Sequence, residues 1–186
     1  MKTINLLLAI VFALTFSGCK KESANQQIMP IPNGDFELWD NMLNLNSWQT
    51  NSCATCDPPF ETYIVQKVTD VSNGQFAAKF IYNNVYSSYA KNKFSISVHP
   101  TLLTGYIKSK IEFGDTATIH IDIFSGNNIV DIGYFYETSS NVNYRKVEIP
   151  ISQKSITVDS VLTQIVGGKK QNTELYVDNL VLLRND

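Results

Sequence analysis

Between residues 116 and 124 the chain reads TATIHIDIF, and that alternation restricts what it can fold into. Ala117, Ile119, Ile121 and Ile123 fall on one side of an extended backbone, and Thr116, Thr118, His120 and Asp122 fall on the other. This is the pattern of an antiparallel strand with one buried face. RKVEIPI (145–151) repeats it with Val147, Ile149 and Ile151 inward, and Pro150 marks that strand as an edge or a bulge. Period two also runs through TYIVQKV (62–68), FAAKFIY (76–82), KFSISV (93–98), GYIKSKIEF (105–113), IVDIGYFYE (129–137), SVLTQIV (160–166) and ELYVDNLVLL (174–183). Turn-forming clusters separate these segments: Ser72-Asn73-Gly74, Gly114-Asp115, Gly126-Asn127-Asn128, Ser139 to Asn143, and Gly167-Gly168. Short strands so punctuated predict an all-β antiparallel sandwich. No internal repeat or interdomain linker divides the region.

The N-terminus has a different character. Residues 1–18 carry one charge, Lys2, followed by an apolar run from Leu6 to Phe16 that is too short to span a bilayer comfortably. Small residues follow the run, so it reads as an export signal. Cys19 comes directly after Ser17 and Gly18 and resembles the lipidated cysteine of a bacterial lipobox, although Phe16 stands where leucine is usual. Lipid on Cys19 anchors a chain to a membrane surface without spanning it. The expected layout is a signal peptide (1–18), a lipid-anchored tether (19–30) whose KKESANQQ stretch is polar, and a β-sandwich domain (31–186). The expected address is the cell envelope, at the outer membrane.

With Cys19 assigned to lipid, Cys53 and Cys56 remain as a pair in NSCATCDPP. Cys-x-x-Cys serves redox chemistry, half a zinc site, or a local staple. Asp57-Pro58-Pro59 discourages the helix that a thioredoxin-type site needs. Zinc needs further soft ligands, and His99 and His120 lack ligand-like spacing. A disulfide is the preferred reading, and it stabilises such a small loop by only about 2 kcal/mol. The net charge of −2 argues against a nucleic-acid partner, which needs a concentrated basic face.

Several stretches together resemble a known family. NGDFELW (33–39), SWQTN (47–51), VSNGQFAAKF (71–80) and ELYVDNLVLL (174–183) follow the order of the carbohydrate-binding-module type of jelly roll, the galactose-binding-like sandwich. The segment 99–124 more narrowly resembles the proposed carbohydrate metabolism domain of Bacteroidetes lipoproteins. The resemblance implies a jelly-roll sandwich whose first strand, opening in NGDFELW with Phe36 as a core plug, approaches the last strand. It also implies a structural calcium held by Glu37 and Asp178, with backbone carbonyls near Asn73 and Gly74 completing the shell. The residues alone allow a plainer alternative. By period two Asp178 shares a side with Tyr176, Leu180 and Leu182, where a carboxylate needs donors or a cation. Turn amides would satisfy it, with Asp35 or Glu37 facing solvent.

No catalytic motif is present. His99 precedes Pro100, His120 lies on a polar strand face, and neither sits in a nucleophile elbow or a metal-binding helix motif. Asp115, Asp122, Asp131 and Glu148 are carboxylates with no distinguishing pattern. The aromatics suggest more. Trp39, Trp48, Tyr82, Tyr86 and Tyr89 fall in or beside loops, and flat rings with nearby amides suit sugars. The same rings also commonly plug sandwich ends. Trp48, Tyr82, Tyr86 and Tyr89 are the expected ligand-binding residues, and a neutral glycan is the expected partner. The leading expectation is a non-enzymatic, lipid-anchored glycan-binding sandwich. The alternative is an accessory lipoprotein subunit docking to a protein partner, and a glycan-active enzyme ranks third.

Overall fold

The computed structural model describes residues 26–53, 64–152 and 155–185, and among these there is no helix. The strands are β1 (Gln26–Pro30), β2 (Gln49–Thr50), β3 (Val65–Val68), β4 (Ala77–Ile81), β5 (Tyr89–Ser95) and β6 (Leu102–Lys110), followed by β7 (Ala117–Ser125), β8 (Asn128–Glu137), β9 (Asn141–Pro150), β10 (Ser160–Val166) and β11 (Glu174–Asn185). They build an all-β sandwich. One sheet has the order β3-β4-β11-β6-β9, with β1 also paired to β11, and the other has the order β2-β5-β10-β7-β8. Every pairing is antiparallel. Each of the nine segments expected from period two holds a strand, although 93–98 is strand only to Ser95 and residues 62–63 lie outside the described residues; Pro150 lies on an edge strand as expected.

The alternating residues do what their spacing requires. Ile119, Ile121 and Ile123 of β7, with Val161 and Ile165 of β10, pack against Leu103, Ile107, Val177 and Leu182 of the facing sheet. Each such side chain, fully buried, contributes about 1.5–3 kcal/mol. Glu137 and Arg145 pair at 2.5 Å where β8 leads into β9, with the Glu137 carboxylate buried.

Three expectations need correction. The sheet begins before residue 31: Gln26 to Pro30, assigned to the tether, pair with Asn185 to Val181. The stretch after them is not a strand. Residues 32–35 form a turn, and Asn33 and Phe36 adopt positive φ. Third, period two breaks in the last strand. The register shifts between Asp178 and Val181, so Leu180 joins Leu175, Val177 and Leu182 in the core while Asp178 stays on the outer side with Tyr176. A β-bulge of this kind sends residues on either side of it to opposite faces.

β1 and β4 share one edge of β11 and leave a gap at the bulge. The 31–37 segment fills that gap. Gly34 accepts a hydrogen bond from the Leu180 amide at 2.7 Å, and a Cβ on Gly34 would lie 2.3 Å from the Leu180 carbonyl oxygen. Only glycine permits so close a crossing.

Candidate functional site

Two sites emerge, one at the bulge and one on the outer face of the five-stranded sheet. At the bulge, Phe36 is fully buried and packs on Trp48 with ring centroids 5.3 Å apart. That contact fixes the start of Glu37. The Glu37 carboxylate accepts the amides of Gln75 (2.7 Å) and Phe76 (3.2 Å) through Oε1. Asp178 accepts the amides of Ser72 (2.7 Å) and Asn73 (2.9 Å) through Oδ2. The two carboxylates thus clasp one turn from two sides. Gly74 sits at its tip with φ +78, and a Cβ there would fall 1.9 Å from Glu37 Oε1.

Asp178 is 1% exposed, and its second oxygen, Oδ1, is buried without a hydrogen-bond partner. Burial raises its pKa above the ordinary value; the turn amides oppose this, and the nearby Glu37 charge adds to it. Asp35, Glu37, Gly74, Asp178 and Asn179 line an open cleft of about 260 Å³ here. Among the described residues no cluster of three or more His, Cys, Asp or Glu side chains converges. A cation held at this cleft would therefore take two carboxylates and complete its shell with carbonyls, which suits calcium better than softer metals. The structure brings together Glu37, Asp178 and the turn at Asn73 and Gly74, and it realises the turn-capping role of Asp178 as well.

The second site lies across β8, β7, β10 and β5. Paired residues share a face, so Tyr136, Thr118, Val166 and Tyr89 form one outward row. Tyr134, His120, Gln164 and Lys91 form the next. Tyr134 and Tyr136 are 47% and 60% exposed, with ring centroids 6.0 Å apart and planes only 10° from parallel. His120 lies 5.5 Å from Tyr134, and its Nε2 is 3.7 Å from Asp122. The result is a pair of exposed, near-parallel rings at one edge, continued by imidazole, amide and ammonium groups.

The expected ligand-binding residues divide. Tyr89 opens β5 on this same outer face. Tyr82 is half-buried and bridges to Ser87, while Tyr86 is exposed on a loop tip held by the Asn83 side chain. Trp48 is corrected: it is 6% exposed, packs on Phe36 and donates its indole N–H to the Asn33 carbonyl at 3.0 Å. A ring so buried has no free face for stacking. Tyr134 and Tyr136 were missed, although their spacing of two in IVDIGYFYE puts both on the outward side.

The remaining candidates are engaged locally. Asp115 accepts the amides of Thr116, Lys169 and Lys170; burial raises its pKa, but these bonds and one from Thr173 outweigh it and hold the value low. His99 lies 3.6 Å from Asp131, both buried, and Glu148 pairs with Lys146 at the surface. Cys19 and Cys56 lie outside the described residues, so neither the lipid site nor the Cys53–Cys56 pairing is visible.

No protein-family model matches the chain, and no curated protein sequence does. Solved structures do match in shape. TmCBM61, solved with β-1,4-galactotriose, aligns with TM-score 0.51 at 13% identity over 83% of this chain and 92% of its own. The fold is a carbohydrate-binding-module-like antiparallel β-sandwich. A cyclase from Fischerella sp. TAU shares this module fold, with TM-score 0.55 at 9% identity over 85% of this chain and 96% of its own. A candidate glycoside hydrolase from Bacteroides thetaiotaomicron aligns with TM-score 0.50 at 13% identity over 67% of this chain, which spans only 57% of that structure. Such likeness establishes the module fold alone, and a fold that carries both binders and an enzyme leaves function to the site.

Proposed function

We propose that this protein is a lipid-anchored, non-enzymatic glycan-binding sandwich of the bacterial cell envelope, at the outer membrane. The observation that carries the reading is the exposed pair of near-parallel rings, Tyr134 and Tyr136, beside His120 and Gln164. Sugar C–H faces stack on rings of this kind, and neighbouring imidazole and amide groups bond the hydroxyls. The module fold supports the reading because it presents one sheet face broadly to solvent. Cys19 would carry the lipid, and Cys53 with Cys56 would staple the loop after β2. Calcium at Glu37 and Asp178 would supply counter-charge to the clasped turn, a fit motivated by the partnerless Asp178 Oδ1.

Affinity should lie between micromolar and millimolar, because a shallow platform must offset the lost freedom of both partners. A glycan array followed by calorimetry tests this. Tyr134→Ala and Tyr136→Ala should each weaken binding about tenfold, consistent with an aromatic contact of roughly 1 kcal/mol or more. A second reading draws on Ile129 and Ile132, which are exposed and extend the tyrosine stripe along the edge strand β8. An apolar stripe also suits a protein partner. Absence of glycan binding at millimolar ligand, with a protein captured only by the unmutated face, would favour that docking role.

A further inference from the structure

The row that begins at Tyr134 changes chemistry as it crosses the sheet. Strand register sets Tyr134, His120, Gln164, Lys91 and Gln49 side by side. Neighbouring strands stand about 4.8 Å apart, so the backbone of Lys91 lies roughly 14 Å from that of Tyr134. Along this line a ring is followed by an imidazole, an amide and an ammonium group.

Lys91 is half-buried and forms no ion pair among the described residues. On the opposite sheet, by contrast, Lys79 pairs with Glu174, Lys108 with Asp70, and Lys146 with Glu148. Lys93 projects from the same face as Lys91, but its ammonium lies over the Phe124 ring and near Asp159. The one carboxylate on the outward rows, Asp122, stands beside His120. A chain with net charge −2 thus keeps a positive group uncompensated on the face that carries its exposed rings. Neutral hydroxyls would be served by Gln164 and His120 alone. An ammonium at the end of the row calls for an anion, and a charge-assisted hydrogen bond is about twice as strong as a neutral one.

We infer that the ligand is a carboxylated glycan, one bearing uronic-acid-type units. It lies across the strands with one sugar stacked on Tyr134 and a carboxylate against Lys91. This departs from the neutral glycan expected from sequence, and it rests on the glycan-binding reading above.

The test compares polygalacturonate, alginate and hyaluronan, each beside its carboxyl-methylated form, and neutral galactan, by calorimetry on the purified exported protein. The expected result is binding of at least one acidic polymer, about tenfold weaker for its methylated form. Added salt should weaken that binding. Lys91→Gln should reproduce the tenfold loss, Lys91→Arg should retain most of the affinity, and Lys110→Gln should change nothing. Equal binding of acidic and methylated polymers, insensitive to salt and to Lys91→Gln, would overturn the inference and leave glycan binding standing. Binding of galactan alone would do the same. Failure of every polymer would overturn the glycan reading itself, and this inference with it.

Discussion

Replacing Gly74 by alanine should destabilise the sandwich in a way that depends on Glu37. The added Cβ would lie 1.9 Å from Glu37 Oε1, and the backbone at φ +78 is left-handed. The left-handed conformation alone costs alanine about 1–2 kcal/mol. The clash forces the Glu37 carboxylate away and removes the acceptor of the Gln75 and Phe76 amides, and hydrogen bonds to a charged group contribute about 1.5–3 kcal/mol. Gly74→Ala should therefore cost about 2.5–5 kcal/mol in all, lowering the melting temperature by roughly 5 °C or more for a domain of this size. Glu37→Ala by itself should cost about 1.5–3 kcal/mol. In the double variant the clash is absent, so Gly74→Ala adds only the backbone cost of about 1–2 kcal/mol. Urea unfolding of the four proteins in chelator, so that no cation contributes, gives the double-mutant cycle. The clasp predicts a coupling of about 1.5–3 kcal/mol; losses that add within about 0.5 kcal/mol would refute it.

Calcium at a hundredfold above its dissociation constant should stabilise the protein by about 2.7 kcal/mol, and Asp178→Asn should abolish the effect. The pH dependence follows from the raised Asp178 pKa: the folded state holds that proton more tightly than the unfolded state does. Metal-free protein should lose stability as pH rises from the ordinary 3.8 through the folded pKa, and calcium should restore it only above that value. Trp48→Phe should lower stability through the lost indole bond to Asn33 while glycan affinity, measured on folded protein, stays unchanged. Intact mass after alkylation without reductant should show Cys53 and Cys56 both blocked, and Cys53→Ser should cost no more than about 2 kcal/mol. Cys19→Ala should leave membranes and take up no labelled palmitate; unchanged partitioning would remove the anchor.

Most strands were legible because half-buried strands write period two directly, as in TATIHIDIF. β1 was not: QQIMP has no alternation and ends in proline, and only its pairing with the last residues of β11 makes it a strand. The bulge at Asp178 is equally silent, since nothing local distinguishes a shifted register from a continuous one. Glu37 and Asp178 could be named from the motif order, but the amides they hold come from a turn about a hundred residues away from Asp178, a distance only the fold closes. Trp48 misled because a tryptophan between polar residues looks exposed until Phe36 is found beneath it. Tyr134 and Tyr136 were written in the alternation of their strand, but nothing local separates rings exposed on a sheet face from rings that another element covers.

The pairing of β1 with the end of β11 has a mechanical consequence. Gln26 and Asn185 meet at the pole where β5 ends and β10 begins, as the cleft shared by Gln27, Ile28, Ser97 and Val98 shows. Tyr136 and Tyr89 lie toward the opposite pole. A molecule held through its N-terminus and tugged by a polymer at the tyrosines is loaded along the axis of β1. Antiparallel hydrogen bonds run perpendicular to the strands, so this load shears the whole β1–β11 ladder at once and does not peel it rung by rung. A strand at which such a load would enter is thereby placed where it resists pulling best.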